Sequence, residues 1–99
     1  MKKNESQRLY NHYCLGRVYH ETYLMVGKNG KKYQQALDDM KLSKSVNYSR
    51  FMRNFYVYVQ EHKLFKILRC EISIHLIRNN WTVLKDKFET DAEFRQLFE

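Results

Sequence analysis

The chain contains no proline and only three glycines among its 99 residues. An all-β fold needs tight turns, and those are the residues that make them, so their scarcity points to helices. There are only two cysteines, Cys14 and Cys70, far apart in the sequence. That excludes a disulfide-stapled scaffold. Both fall on apolar faces, where free thiols are expected in a reducing compartment. No apolar run approaches the roughly 20 residues needed to cross a bilayer, so no membrane segment is expected. The opening MKKNESQRLYNHY is basic but lacks the apolar core of an export signal behind it. The expected location is therefore the cytoplasm, or the nucleus for a eukaryotic or viral source.

What is present is apolar mass, tyrosine and positive charge. Hydrophobic residues make up 43% of the chain, enough for it to fold alone, and its length predicts a single domain over 1–99 with a frayed polar lead at 1–7. Eight tyrosines place amphipathic rings at the core boundary or at an interface. Net charge is +7, unevenly spread: +5 over residues 1–32, +4 over 33–69 and −2 over 70–99. A basic body with a mildly acidic tail suits a nucleic-acid-facing surface.

Helical spacing organises the sequence. Tyr10, Cys14, Val18, Thr22 and Met25 form one stripe from Arg8 onward, widened by Leu15, Tyr19 and Val26. Gly16 interrupts it, as expected where another helix passes close. This helix is predicted to stop at Gly27, and Lys28, Lys31 and Lys32 cluster on the connection that follows. The stretch GKNGKK is not a nucleotide-binding loop: its glycines are three apart and no Ser or Thr follows the lysines. The second helix has its stripe at Tyr33, Ala36, Leu37 and Met40, with Asp38 and Asp39 facing water. After Lys41-Leu42-Ser43-Lys44-Ser45, a third helix at about 46–62 buries Tyr48, Phe51, Met52, Phe55 and Val59. Ser43 or Ser45 is the expected cap. The opposite face of that helix carries Asn47, Arg50, Arg53 and Asn54.

Residues 33–54 resemble the helix-turn-helix module of phage, plasmid and bacterial regulators. Ala36 is the small residue inside the first helix, Leu42 and the serines form the turn, and a polar helix follows. Lys41 stands where such modules usually carry glycine, and Asn47 or Tyr48 stands near their usual β-branched residue. The resemblance implies a three- or four-residue turn and a second helix that enters the major groove of DNA. Arg50 and Arg53 have the fork that grips a guanine edge, and Asn47 or Asn54 pairs with adenine. Lys28, Lys31, Lys32, Lys41 and Lys44 would hold phosphates and set orientation.

From Ile67 the spacing supports two readings. Ile67, Cys70, Ile74, Ile77, Trp81, Leu84 and Phe88 repeat as one long helical stripe, broken near Asn80, that offers a dimer or partner interface. Cys70 to Leu76 also alternates with period two, so a β-hairpin over about 70–84, with Arg78, Asn79 and Asn80 at its tip, would make a winged helix. The helical reading covers the whole of 67–88 and is preferred. Thr90 or Asp91 caps a last helix, Ala92 to Glu99, with Phe94, Leu97 and Phe98 inward. The expected fold is all-α, a small domain of four to five helices with a helix-turn-helix-like pair.

Catalytic motifs are missing. His12, His20, His62 and His75 are scattered. His12 and Cys14 point about 200° apart on one helix, and Cys70 and His75 are no better matched, so neither a metal nor another cofactor is expected. His20 and Glu21 read as exposed neighbours. The expectation is a DNA-binding protein rather than an enzyme: a small regulator or accessory factor contacting duplex DNA through the helix at 46–62, with DNA favoured over RNA and a homodimer through Ile67, Ile74, Ile77, Trp81, Leu84 and Phe88. The alternative is a small protein–protein interaction factor, such as a phage-type inhibitor of a host protein, using its aromatic surface.

Overall fold

The computed structural model describes residues 4–42 and 45–99, with side chains described from Leu9 onward. Six α-helices follow one another: α1 Asn4–Met25, α2 Gly30–Asp39, α3 Val46–His62, α4 Ile74–Asn79, α5 Trp81–Thr90 and α6 Ala92–Gln96. A 3₁₀ turn, Phe65–Arg69, separates α3 from α4. No strand occurs among the described residues, so the class is all-α and the hairpin reading of 70–84 is overturned. No helix among them is long and apolar enough to cross a membrane.

The described residues fall into two compact units, one of residues 13–57 and the other of residues 4–12 together with Tyr58–Glu99. In the first unit Tyr19, Tyr33, Leu37, Phe51, Met52 and Phe55 are buried, with Thr22 and Ser49 beside them in burial. Gly16 lets α1 and α3 approach: a Cβ there would overlap the carbonyl oxygen of Met52 and press on Tyr56. The expected apolar stripes of α2 and α3 hold, except that Met40 is exposed and Tyr48 and Ala36 are only half-buried. The stripe expected on α1 holds in part, with Tyr19 and Thr22 buried and Cys14, Leu15 and Val26 half-buried. Tyr10, Val18 and Met25 of that stripe are exposed, while Leu9 and Gly16 outside it are buried. The helix also begins at Asn4, inside the stretch expected to fray; residues 1–3 lie outside the described residues. The period-3.6 pattern on α1 has apolar or aromatic residues all round, so spacing alone could not choose the buried face.

Helix ends repeat one device. After α1, Gly27 takes φ +65° and the Lys28 N–H donates to the Tyr23 carbonyl at 2.9 Å. After α2, Lys41 takes φ +60° and the Leu42 N–H reaches Leu37 at 2.8 Å. After α3, Lys63 takes φ +56° and the Leu64 N–H reaches Val59 at 3.1 Å. Each is a left-handed residue that lets the next N–H satisfy a carbonyl in the last helical turn. Two of the three do this with lysine, whose Cβ is strained there.

In the second unit the expected long helix of 67–88 is broken twice. Cys70 and Ser73 are extended, and the Ser73 hydroxyl accepts from the Leu76 N–H at 3.1 Å to start α4. Asn80 ends α4, its side-chain amide donating to the Leu76 carbonyl at 2.8 Å, and α5 begins directly after it. Asp91 caps α6 as expected, accepting from the Phe94 N–H at 3.0 Å. Its carboxyl is held below the ordinary value, first by that backbone N–H and then by Lys87. The helix ends early and Leu97 is exposed rather than inward. Around the buried Phe88 ring lie Tyr58, Phe94 and Phe98, with Trp81 edge-on to Tyr58.

Candidate nucleic-acid interface

The unit of 13–57 holds eight lysines and arginines against three acids, a net +5. The three acids are engaged on their own helices. Glu21 accepts from Arg17 at 3.0 Å, Asp39 from Gln35 at 3.0 Å and Asp38 from Gln34 at 3.5 Å. Among the described residues of this unit, the ion pair found is Arg17 with Glu21, at 3.0 Å.

Three of those cations share one groove of about 500 Å³, lined by Tyr23, Gly30, Lys31, Tyr33, Arg50 and Arg53 with Gln34, Val46 and Ser49. Local structure explains the placement. Asn29 caps α2: its side chain accepts from the Lys32 N–H at 3.0 Å, and its carbonyl accepts from Tyr33 at 2.8 Å. Gly30 and Lys31 therefore open the helix at the groove, and a Cβ at Gly30 would meet nothing within 4 Å. Ser45 caps α3 by accepting from the Tyr48 N–H at 3.1 Å; Ser43 lies outside the described residues. The buried Ser49 hydroxyl donates to the Val46 carbonyl at 3.2 Å. The first two turns of α3 bring Val46, Ser49, Arg50 and Arg53 to the groove.

Arg53 is placed differently from its neighbours on α3. Its guanidinium carbon lies 3.9 Å from the centre of the Tyr23 ring and 4.9 Å from that of Tyr33. Those two rings meet edge to face at 5.2 Å. The Arg53 Nε is buried without a hydrogen-bond partner among the described residues, and so is the Tyr33 hydroxyl. Below them Tyr19 is wholly buried and donates to the Leu42 carbonyl at 3.2 Å. Burial, and next the nearby Tyr48 and Tyr33, push its phenol up to about 12.

Of the residues marked in the sequence, Lys31, Arg50 and Arg53 come together in the groove. Lys28, Lys32, Lys41, Asn47 and Asn54 are exposed but do not line it. Lys44 lies outside the described residues. The interval between α2 and α3 is six residues, 40–45, longer than the turn expected. Sequence reading missed Tyr23, Gln34 and Ser49, and took Tyr33 for core alone. A high tyrosine content was the one available sign. In the partner-facing stripe, Ile67, Ile74, Ile77 and Phe88 are buried within the chain, and Trp81 and Leu84 are half-buried.

Compared with protein-family models, with curated proteins and with solved structures, the chain matches none.

Proposed function

We propose that the protein binds nucleic acid, DNA in preference to RNA, as a small regulator or accessory factor acting in the cytoplasm or nucleus. The observation that carries this reading is the groove in which Lys31, Arg50 and Arg53 meet while the three acids of their unit are engaged elsewhere. Exposed Lys28, Lys32 and Lys41 extend the positive face and serve phosphates. Exposed Asn47 and Asn54 on α3 are the side chains free to reach base edges, while Arg50 lines the groove. Lys41 supports the helix-turn-helix resemblance, because it adopts the left-handed backbone at the position where such modules carry glycine. The six-residue connection implies a looser pairing than theirs. A two-fold DNA site goes with this reading if the protein acts as a homodimer.

The test is a fluorescence-anisotropy titration with duplex DNA and with duplex RNA at several salt concentrations, alongside light scattering of the chain alone and with DNA. Affinity should fall steeply with salt, because bound cations displace condensed counterions. Arg50→Ala should weaken binding to all sequences alike and lower the salt slope by about one, as loss of a phosphate contact does. A flat titration at low salt sinks the proposal.

A second reading, a protein-interaction factor, draws on an apolar cleft of about 410 Å³ in the other unit, where Leu76 and Val83 stand exposed beside Ile72 and Leu84. Self-association of the chain together with a flat DNA titration would favour it.

A further inference from the structure

We propose that the groove of the 13–57 unit is a phosphate pocket, with the Arg53 guanidinium as its floor and Lys31 and Arg50 as its walls. The proposal deepens the nucleic-acid reading and rests on it only for the source of the phosphate.

Arg53 is the starting point. Its charge is permanent, yet among the described residues its Nε meets no acceptor, and the three carboxylates of its unit are engaged elsewhere. Its neighbours are the rings of Tyr23 and Tyr33. Ring stacking steadies the cation by its face but satisfies none of its N–H donors, which lie along the edge of the guanidinium. A partly buried cation in that state lacks a counter-ion, and an oxyanion on that edge is the partner its chemistry asks for.

The Tyr33 hydroxyl supports this independently. Tyr33 is 5% exposed, and its hydroxyl has no partner among the described residues. It and the Arg53 Nε are the buried, unsatisfied side-chain atoms found there, and both belong to residues that line the same groove. Unsatisfied buried polar atoms are rare in folded proteins, so two at one place mark a site with its ligand absent.

The donors come from separate elements. Lys31 reaches the groove from α2 and Arg50 from α3, while the first turn of α2 adds the N–H groups of Gly30 and Lys31, which Asn29 does not satisfy. Two guanidinium forks, an ammonium and helix N–H groups outnumber what the two oxygens of a carboxylate can accept. A tetrahedral phosphate accepts from several directions at once. The groove is wider than one phosphate needs, which leaves room for whatever the phosphate is attached to.

The experiment follows the Arg53 Nε–H signal in nitrogen-edited NMR spectra of the full chain, titrated with inorganic phosphate against chloride at matched ionic strength. The expected result is a saturable shift with phosphate and none with chloride. Lys31→Gln and Arg50→Gln, at solvent-exposed positions that leave the helical circular dichroism unchanged, should each weaken phosphate binding about tenfold, the loss of one charge-assisted contact. No saturable response, or an unchanged affinity in both variants, overturns the pocket. A parallel arm uses short duplex DNA. If DNA shifts the same signal and phosphate competes with it, nucleic acid is the source of the phosphate. A phosphate response without DNA binding keeps the pocket and removes the nucleic-acid reading. DNA binding without a phosphate response does the reverse.

Discussion

The two units treat polar groups in opposite ways. In residues 4–12 with 58–99, eight lysines and arginines balance eight acids, a net charge of zero, and several are tied locally: Lys87 to Asp91 at 3.0 Å and Arg95 to Glu99 at 3.4 Å. Arg95 also donates to the Phe88 carbonyl at 3.2 Å, and the Tyr58 hydroxyl donates to Glu89 at 3.4 Å. Residues 13–57 carry net +5, cluster cations in one groove and leave two buried polar atoms unsatisfied. Buried polar atoms without partners cost folding free energy, and both of those found among the described residues belong to residues that line this one groove, which is the basis of the phosphate proposal. Among the described residues of the other unit no buried side-chain nitrogen or oxygen is left without a partner, and its aromatic residues pack around Phe88.

The largest way to test this contrast is Phe88→Ala. Phe88 is almost wholly buried within a ring cluster, and its truncation should cost about 3–5 kcal/mol in urea unfolding. The folded fraction should still bind phosphate as the parent chain does. Binding lost in proportion to affinity rather than to unfolding would break the division of labour.

Alkaline pH separates the units next. The Tyr19 phenol, raised to about 12, favours the folded state as long as it stays protonated. Its contribution is complete below the ordinary tyrosine value of about 10 and is lost as pH rises from there to about 12, up to roughly 3 kcal/mol. Tyr58 is also raised, first by burial and then by Glu89. Tyr19→Phe should flatten the alkaline fall in stability more than Tyr58→Phe, read from denaturant midpoints between pH 9 and pH 12. Equal flattening would remove the distinction.

Gly16→Ala then probes the close approach of α1 to α3. The added methyl meets backbone, which has little room to yield, so a loss of about 1–3 kcal/mol is expected in thermal unfolding. The smallest effects are gains. Lys41→Gly and Lys63→Gly, one in each unit, should each stabilise by about 1 kcal/mol by relieving the left-handed backbone. If Lys41→Gly also weakens DNA binding while Lys63→Gly does not, the Lys41 side chain itself contacts the ligand.

Much of the fold was legible because it is local. Helix stops at Gly27, a cap at Asp91 and the buried faces of α2 and α3 depend on neighbours within a turn or two. The break before α4 was missed because the Ser73 cap sits inside an apolar stripe that continues across it. The buried face of α1 was legible only in part, at Tyr19 and Thr22, because its tyrosines and aliphatic residues surround the helix and the neighbours of Tyr19 and Gly16 decide which side is covered.

The candidate site shows the same limit. Sequence alone marked Lys31, Arg50 and Arg53 as cationic and assigned both arginines the same outward role. Tertiary structure separated them, leaving Arg50 in solvent and laying Arg53 on Tyr23 and Tyr33. Tyr23, Tyr33 and Arg53 come from three different helices, so their meeting depends on packing between distant segments. Composition and spacing therefore determined the helical class, the caps and the sign of the charge. Packing decided which of these side chains meet in one groove and which polar atoms there are buried without a partner.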